Sequence, residues 1–93
     1  MQQEKLLASD VDLEKSILGA LLFDHTKLID VAEIIQAEDF TARTNQEIYQ
    51  TMCKIHMDGI AFDYQTIASN SPHKTYLTDI FTDTYTAAMV LSH

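Results

Sequence analysis

Residues 13–22, Leu13-Glu14-Lys15-Ser16-Ile17-Leu18-Gly19-Ala20-Leu21-Leu22, set a glycine in the middle of an otherwise continuous apolar helical face. Leu13, Ile17, Ala20 and Leu21 recur at i, i+4, i+7 and i+8, the spacing of a buried helical stripe, and Leu18 and Leu22 widen it. Glycine in a helix interior costs about 1 kcal/mol relative to alanine, so it needs a compensating reason. Close approach of a second helix, which only a residue without a side chain permits, supplies one. The spacing therefore predicts a helical core with this segment as its spine.

Composition points the same way. The chain has 93 residues, 46% of them hydrophobic, with two glycines and one proline, fewer turn formers than a sheet-rich fold usually needs. That length makes one domain, which buries about 60–65% of the surface its unfolded chain exposes. Fourteen acidic residues oppose six basic ones, for a net charge of −8. The basic residues Lys5, Lys15, Lys27, Arg43, Lys54 and Lys74 are scattered, whereas phosphate binding needs them clustered, so direct nucleic-acid binding is not expected. The plainest use of the acidic excess is a solvated surface, and a basic partner is the other.

Cys53 is the only cysteine, which excludes an internal disulfide and fits a reducing compartment. The start Met1-Gln2-Gln3-Glu4-Lys5 lacks the profile of a secretory signal. The longest apolar run, 17–23, is far short of the ~20 residues of a membrane span. A cytoplasmic protein is expected.

Along the chain, residues 1–8 read as a flexible arm and 9–93 as a single helical globular domain. Ser9 or Asp10 can cap the first helix, and Asp12 and Glu14 suit its positive end. Phe23-Asp24-His25-Thr26 reads as a turn with Asp24 capping the next helix. Leu28, Val31, Ala32 and Ile35 form a second stripe supported by Ile29 and Ile34. Periodicity lapses over 36–43, where Phe40 is the one large apolar residue and is expected to plug the core.

Thr44-Asn45-Gln46-Glu47 has the pattern of a capping box opening a third helix. Ile48, Met52 and Ile55 share one face of it, flanked by Tyr49 and Cys53, and Gly59 stands at its C-terminal cap. Asp63 can cap a short helix through Asn70 that buries Ile67. Ser71-Pro72 signals another start, followed by a stripe of Tyr76, Leu77, Ile80 and Phe81, and 84–91 makes a last apolar segment. Its abrupt end suggests that the natural chain continues. The expected architecture is all-α, a compact bundle of about six short helices.

Catalytic patterns are hard to find. Two glycines forty residues apart build no phosphate cradle, so ATP hydrolysis by this chain alone is excluded. Asp24-His25 and His56-Met57-Asp58 are acid–histidine pairs that arise readily by chance, and no metal is expected. Cys53 and His56 are three apart on one helix, but a small hydrophobe beside an edge histidine explains them without catalysis. Glu38-Asp39 and Asp10 with Asp12 read as helix-end charges. Asn45, Gln46, Gln50 and Lys54 could face base edges in a helix-turn-helix, a reading the net charge opposes. No cofactor is expected.

The order of these segments resembles the N-terminal domain of the replicative DNA helicases of the DnaB type. The likeness rests on Glu14 through Ile17-Leu18-Gly19-Ala20-Leu21-Leu22, then Val31-Ala32-Glu33-Ile34-Ile35 and Glu38-Asp39-Phe40. It continues through Ile48-Tyr49 with Met52, Gly59, Asp63 with Thr66-Ile67, Tyr76-Leu77 and the tail Ala87-Ala88-Met89-Val90-Leu91-Ser92-His93. Family members often carry an aromatic where Thr41 stands and an asparagine where Met89 stands, so this is a divergent relative. The resemblance implies a collar-forming domain that docks the primase C-terminal domain and meets other helicase subunits or a loader. It implies a head whose parent is an ATP-dependent helicase of a bacterial or phage replisome, with hairpin and motor beyond this segment. Without the hairpin, a monomer or weak dimer is expected.

Glu14, Leu18, Gly19, Asp39, Phe40, Ile48, Tyr49, Gly59, Asp63 and Thr66 are the motif residues that the resemblance marks. The partner surface is open: Ile60, Ala61 and Phe62 form an apolar cluster that either contacts a partner or, for Phe62, folds onto the core. Other readings are a stand-alone regulator that mimics the helicase head, the helicase-binding C-terminal domain of a primase, and a small enzyme using His56 or Asp24-His25. Met1 at the start favours the helicase N-terminus over the primase domain.

Overall fold

The computed structural model describes residues 11–91, five α-helices with two short 3₁₀ turns between them. The helices are α1 Val11–Phe23, α2 Leu28–Ala32, α3 Arg43–Met57, α4 Tyr64–Ser69 and α5 Lys74–Leu91, with 3₁₀ turns at His25–Lys27 and Ala37–Asp39. No strand occurs among the described residues. The arm over 1–8 and the caps expected at Ser9 or Asp10 lie outside them.

One apolar core joins Leu18, Leu21 and Leu22 of α1 to Ile48, Tyr49, Met52 and Ile55 of α3 and to Leu77 and Ile80 of α5. Leu28, Phe40, Phe62 and Ile67 complete it from the connectors and short helices. α1 lies between α3 and α5. Gly19 is the point of closest approach: a Cβ there would overlap Thr84 Oγ1 and lie 3.1 Å from Thr84 Cβ and 3.3 Å from Ile80 Cγ2. The glycine is thus explained by α5.

The first helix is rotated from its expected setting. Its buried positions are Glu14, Leu18, Gly19, Leu21 and Leu22, while Leu13 and Ala20 are exposed and Ile17 is half-buried. The stripe therefore starts one residue later than the apolar spacing indicates, because the core accepts the Glu14 carboxylate. α2 is also shorter than expected, and Ile29, Ala32 and Ile34 face solvent while Leu28 alone is fully buried.

Local end signals hold at three places. Asp24 accepts from the Thr26 N–H (3.1 Å) and caps the first 3₁₀ turn. Asp63 accepts from the Thr66 N–H (2.9 Å) and its hydroxyl (3.0 Å), capping α4. Past α3, the Gly59 N–H donates to His56 O (3.0 Å) and the Ile60 N–H to Ile55 O (3.2 Å), with Gly59 at φ +81°. This paired 5→2 and 6→1 closure needs the left-handed conformation that glycine adopts without strain.

Elsewhere the signals mislead. The Thr44–Glu47 box does not form: α3 starts at Arg43 after Ala42, and Glu47 bonds His73 (2.6 Å) and Arg43 (3.2 Å) instead. Ser71 accepts from the His73 N–H (3.1 Å), but α5 begins at Lys74, two residues past Pro72. The two segments expected after Pro72 are one helix of 18 residues. No helix among the described residues is long and apolar enough to cross a membrane.

Gly19→Ala should destabilise the domain by about 1–2 kcal/mol, the overpacking cost exceeding the helix-propensity gain. Thr84→Ala, by removing the hydroxyl that a Cβ overlaps, should recover part of that loss. A urea-denaturation double-mutant cycle checks both; equal stability of wild type and Gly19→Ala would contradict the packing.

Candidate interaction surface

The side chains with the most elaborate polar geometry serve architecture. Glu14 is fully buried and its carboxylate receives the Thr41 N–H (2.8 Å), the Thr41 hydroxyl (2.7 Å), the Ala42 N–H (3.4 Å) and Asn45 Nδ2 (2.8 Å). The Tyr76 hydroxyl donates to Asn45 Oδ1 (2.6 Å), so one chain of hydrogen bonds runs from α1 through α3 to α5. Lys15 Nζ lies 5.3 Å from the Tyr76 ring centroid. Burial pushes the Glu14 pKa up, but the bonds from Asn45, Thr41 and Ala42 outweigh it and leave the carboxyl below its ordinary value.

Other singled-out residues are also committed internally. Asp39 accepts from the Gln36 N–H (2.8 Å), and the Tyr49 hydroxyl donates to Ile35 O (2.7 Å). Phe40 packs on Tyr49 with ring centroids 5.0 Å apart, and Leu18 and Ile48 are fully buried. Asn45 is fully buried and Gln46 Nε2 donates to Phe40 O (2.7 Å), so neither can read base edges. Phe62 is 2% exposed and its ring meets His25 at 5.8 Å, which places it in the core and leaves Ile60 and Ala61 outside.

Cys53 and His56 face different depressions. Cys53 lines a depression with Tyr49 and Met57, whereas His56 lines another with His25, Ile29 and Ile60. Burial foremost raises the Cys53 thiol above its ordinary value, with the neighbouring Tyr49 hydroxyl working against it, and the net shift is opposite to what a nucleophile needs. Burial foremost, then Cys53, pushes Tyr49 up to about 12.

Chemistry at the surface is apolar. At the end of α1, Phe23 stacks on Phe81 of α5 with centroids 4.8 Å apart and planes 4° from parallel. Tyr85 continues the stack at 6.5 Å from Phe23, and Tyr64 of α4 meets Phe81 at 4.8 Å. Phe23 and Tyr85 are both exposed, so four rings form a partly bare aromatic ladder across α1, α4 and α5. A second bare area comprises Ile29, Ile34, Met57 and Ile60, around α2 and the end of α3. Sequence reasoning missed the ladder and most of the second area, assigning Phe23 to a turn and Ile29 and Ile34 to the second helical stripe, although it marked Ile60 as a candidate contact. The available signal was excess: two short helices carry more large apolar groups than their inner faces can bury.

The model of the DnaB-like helicase N-terminal domain matches residues 6–93, nearly the whole chain. The chain belongs to that family. Curated relatives of this DnaB-like domain include replicative DNA helicase DnaC of Bacillus subtilis, 26% identical over a 96-position alignment that covers 94% of this chain and 21% of the relative. Replicative DNA helicase DnaB of Buchnera aphidicola is 27% identical over 85 residues, 91% of this chain and 18% of the relative. The DnaB-like chain thus spans about a fifth of the length of these relatives. No solved structure matches it.

Glu14→Ala should cost on the order of 3 kcal/mol, because Asn45 and two backbone N–H groups lose their acceptor. The folded pKa of Glu14 is lowered from 4.5, so its contribution is present above that value and is lost as pH falls through the lower folded value. Urea titrations from about pH 6 to about pH 3 should show a steeper acid loss for wild type than for Glu14→Gln. Parallel profiles would exclude Glu14 as a source of the acid sensitivity.

Proposed function

We propose that this chain is the interaction and assembly domain of a replicative DNA helicase, acting in collar formation and primase docking. It carries no ATPase chemistry of its own. The observation that carries the reading is the bare aromatic ladder of Phe23, Phe81, Tyr85 and Tyr64 on a domain whose family is shown. Aromatic side chains supply large contact area with little rotamer entropy and are enriched where proteins associate. Motif residues such as Glu14, Gly19, Asp39, Phe40, Gly59 and Asp63 act in this reading as the frame that holds the ladder in place.

Other helicase subunits and the primase C-terminal domain are the proposed partners, in a bacterial cytoplasm or a phage replisome. In this reading the isolated chain is a monomer or weak dimer. Sedimentation velocity should show that state for the chain, and Tyr85→Arg should abolish any dimer without lowering the melting temperature. Tyr85→Arg should also reduce collar assembly when introduced into a full-length helicase carrying this domain. A stable hexamer of the isolated chain, or an unchanged assembly of the Tyr85→Arg helicase, would contradict the reading.

A further inference from the structure

A second surface stands apart from the aromatic ladder. Residues 28–42 carry Asp30, Glu33, Glu38 and Asp39 and no lysine, arginine or histidine, the most one-sided charge stretch in the described residues. Asp30, Glu33 and Glu38 are exposed. Among them stand Ile29 and the 64% exposed Ile34, and across from them the 84% exposed Met57. Exposed isoleucines beside a bare methionine are what an interface core presents when it is uncovered, and methionine adapts its shape to the occupant.

Two depressions share α2 and the C-terminal turns of α3 as walls. The larger, about 480 Å³, is formed by Ala32, Ile35, Tyr49, Cys53 and Met57, with a rim that includes Glu38, Asp58 and Lys54, the lysine engaged by Asp58 at 3.4 Å. The smaller, about 250 Å³, lies between Ile29, His56 and Ile60. The Tyr49 hydroxyl is already donated to Ile35 O, so the larger one asks for an apolar side chain. The acidic apron repels phosphate backbones and anionic lipid surfaces, which leaves a basic protein segment as the complementary occupant.

We propose that α2 and the end of α3 form a docking site for a basic amphipathic helix of a partner protein. One large apolar side chain of that helix seats in the larger depression, a second packs on Ile29 and Ile60, and flanking Lys or Arg face Asp30, Glu33 and Glu38. Anchors at i, i+4 and i+7 on one helix face suit two depressions with common walls. The inference rests on the domain being an interaction module, but it concerns a different face from the one proposed for assembly.

A phage-displayed library of cysteine-free helical peptides selected on the immobilised chain tests it. Expected are enriched peptides with apolar residues at i, i+4 and i+7 and net positive charge. Their synthetic forms should bind at least tenfold more weakly to Met57→Asp and to Glu33→Lys, both at exposed positions, and equally to Tyr85→Ser. Cys53, the only cysteine, serves as an internal reporter: saturating peptide should slow its alkylation severalfold. Enrichment of neutral or acidic peptides, no enrichment over an uncoated surface, unchanged Cys53 alkylation, or binding lost in Tyr85→Ser would each overturn the inference. Such failure with a Tyr85-dependent assembly intact would refute this surface alone and leave the assembly reading standing.

Discussion

A carboxylate with no access to water holds three helices together. An isolated buried charge is expensive, and Glu14 is tolerable only because donors surround it: two from Thr41, one from Ala42 and one from Asn45. Those backbone donors, Thr41 and Ala42, lie in the two residues that lead into α3. Glu14 therefore anchors the entry to a helix far along the chain, with Thr41 27 residues away in sequence. Asn45 then passes the connection to Tyr76, so the relative setting of α1, α3 and α5 depends on one side chain.

The sequence distance over which each contact acts explains where sequence reasoning succeeded and where it failed. Asp24, Asp63 and Gly59 act on residues two to three positions away, so their signals were complete in a short window. Gly19 was legible because a mid-helix glycine demands a close neighbour, although nothing in the chain named Thr84 as that neighbour. The Thr44–Glu47 pattern was a false signal: Glu14 holds the entry to that helix, which starts at Arg43, and Glu47 takes His73 and Arg43 instead. The apolar spacing of α1 pointed one residue away from the true stripe for the same reason: a pattern built on hydrophobicity assigns no inward place to a glutamate.

Surfaces were less legible than ends. Phe62 sits in a connector and is buried, whereas Phe23 ends the most apolar helix and is bare. Residue type states what a side chain prefers, and the path of the chain decides whether the preference is met. The all-helical architecture and the family were recoverable from the order of segments alone, while the aromatic ladder required α4 and α5 to be placed beside the end of α1. Polar groups bonded internally and apolar rings left bare are the arrangement on which the proposed interaction role rests.

α5 is a single rod of 18 residues, about 27 Å at 1.5 Å per residue. It is fastened near its start by Tyr76 to Asn45 and crosses α1 at Gly19 near its middle, with Tyr85 one residue past Thr84 of that crossing. Two separate points on a straight rod fix its direction as well as its position. Because Thr84 fills the space that a side chain at residue 19 would need, the crossing admits one register of the two helices. The aromatic face beside Thr84 is thereby aimed by the one position in α1 that has no side chain.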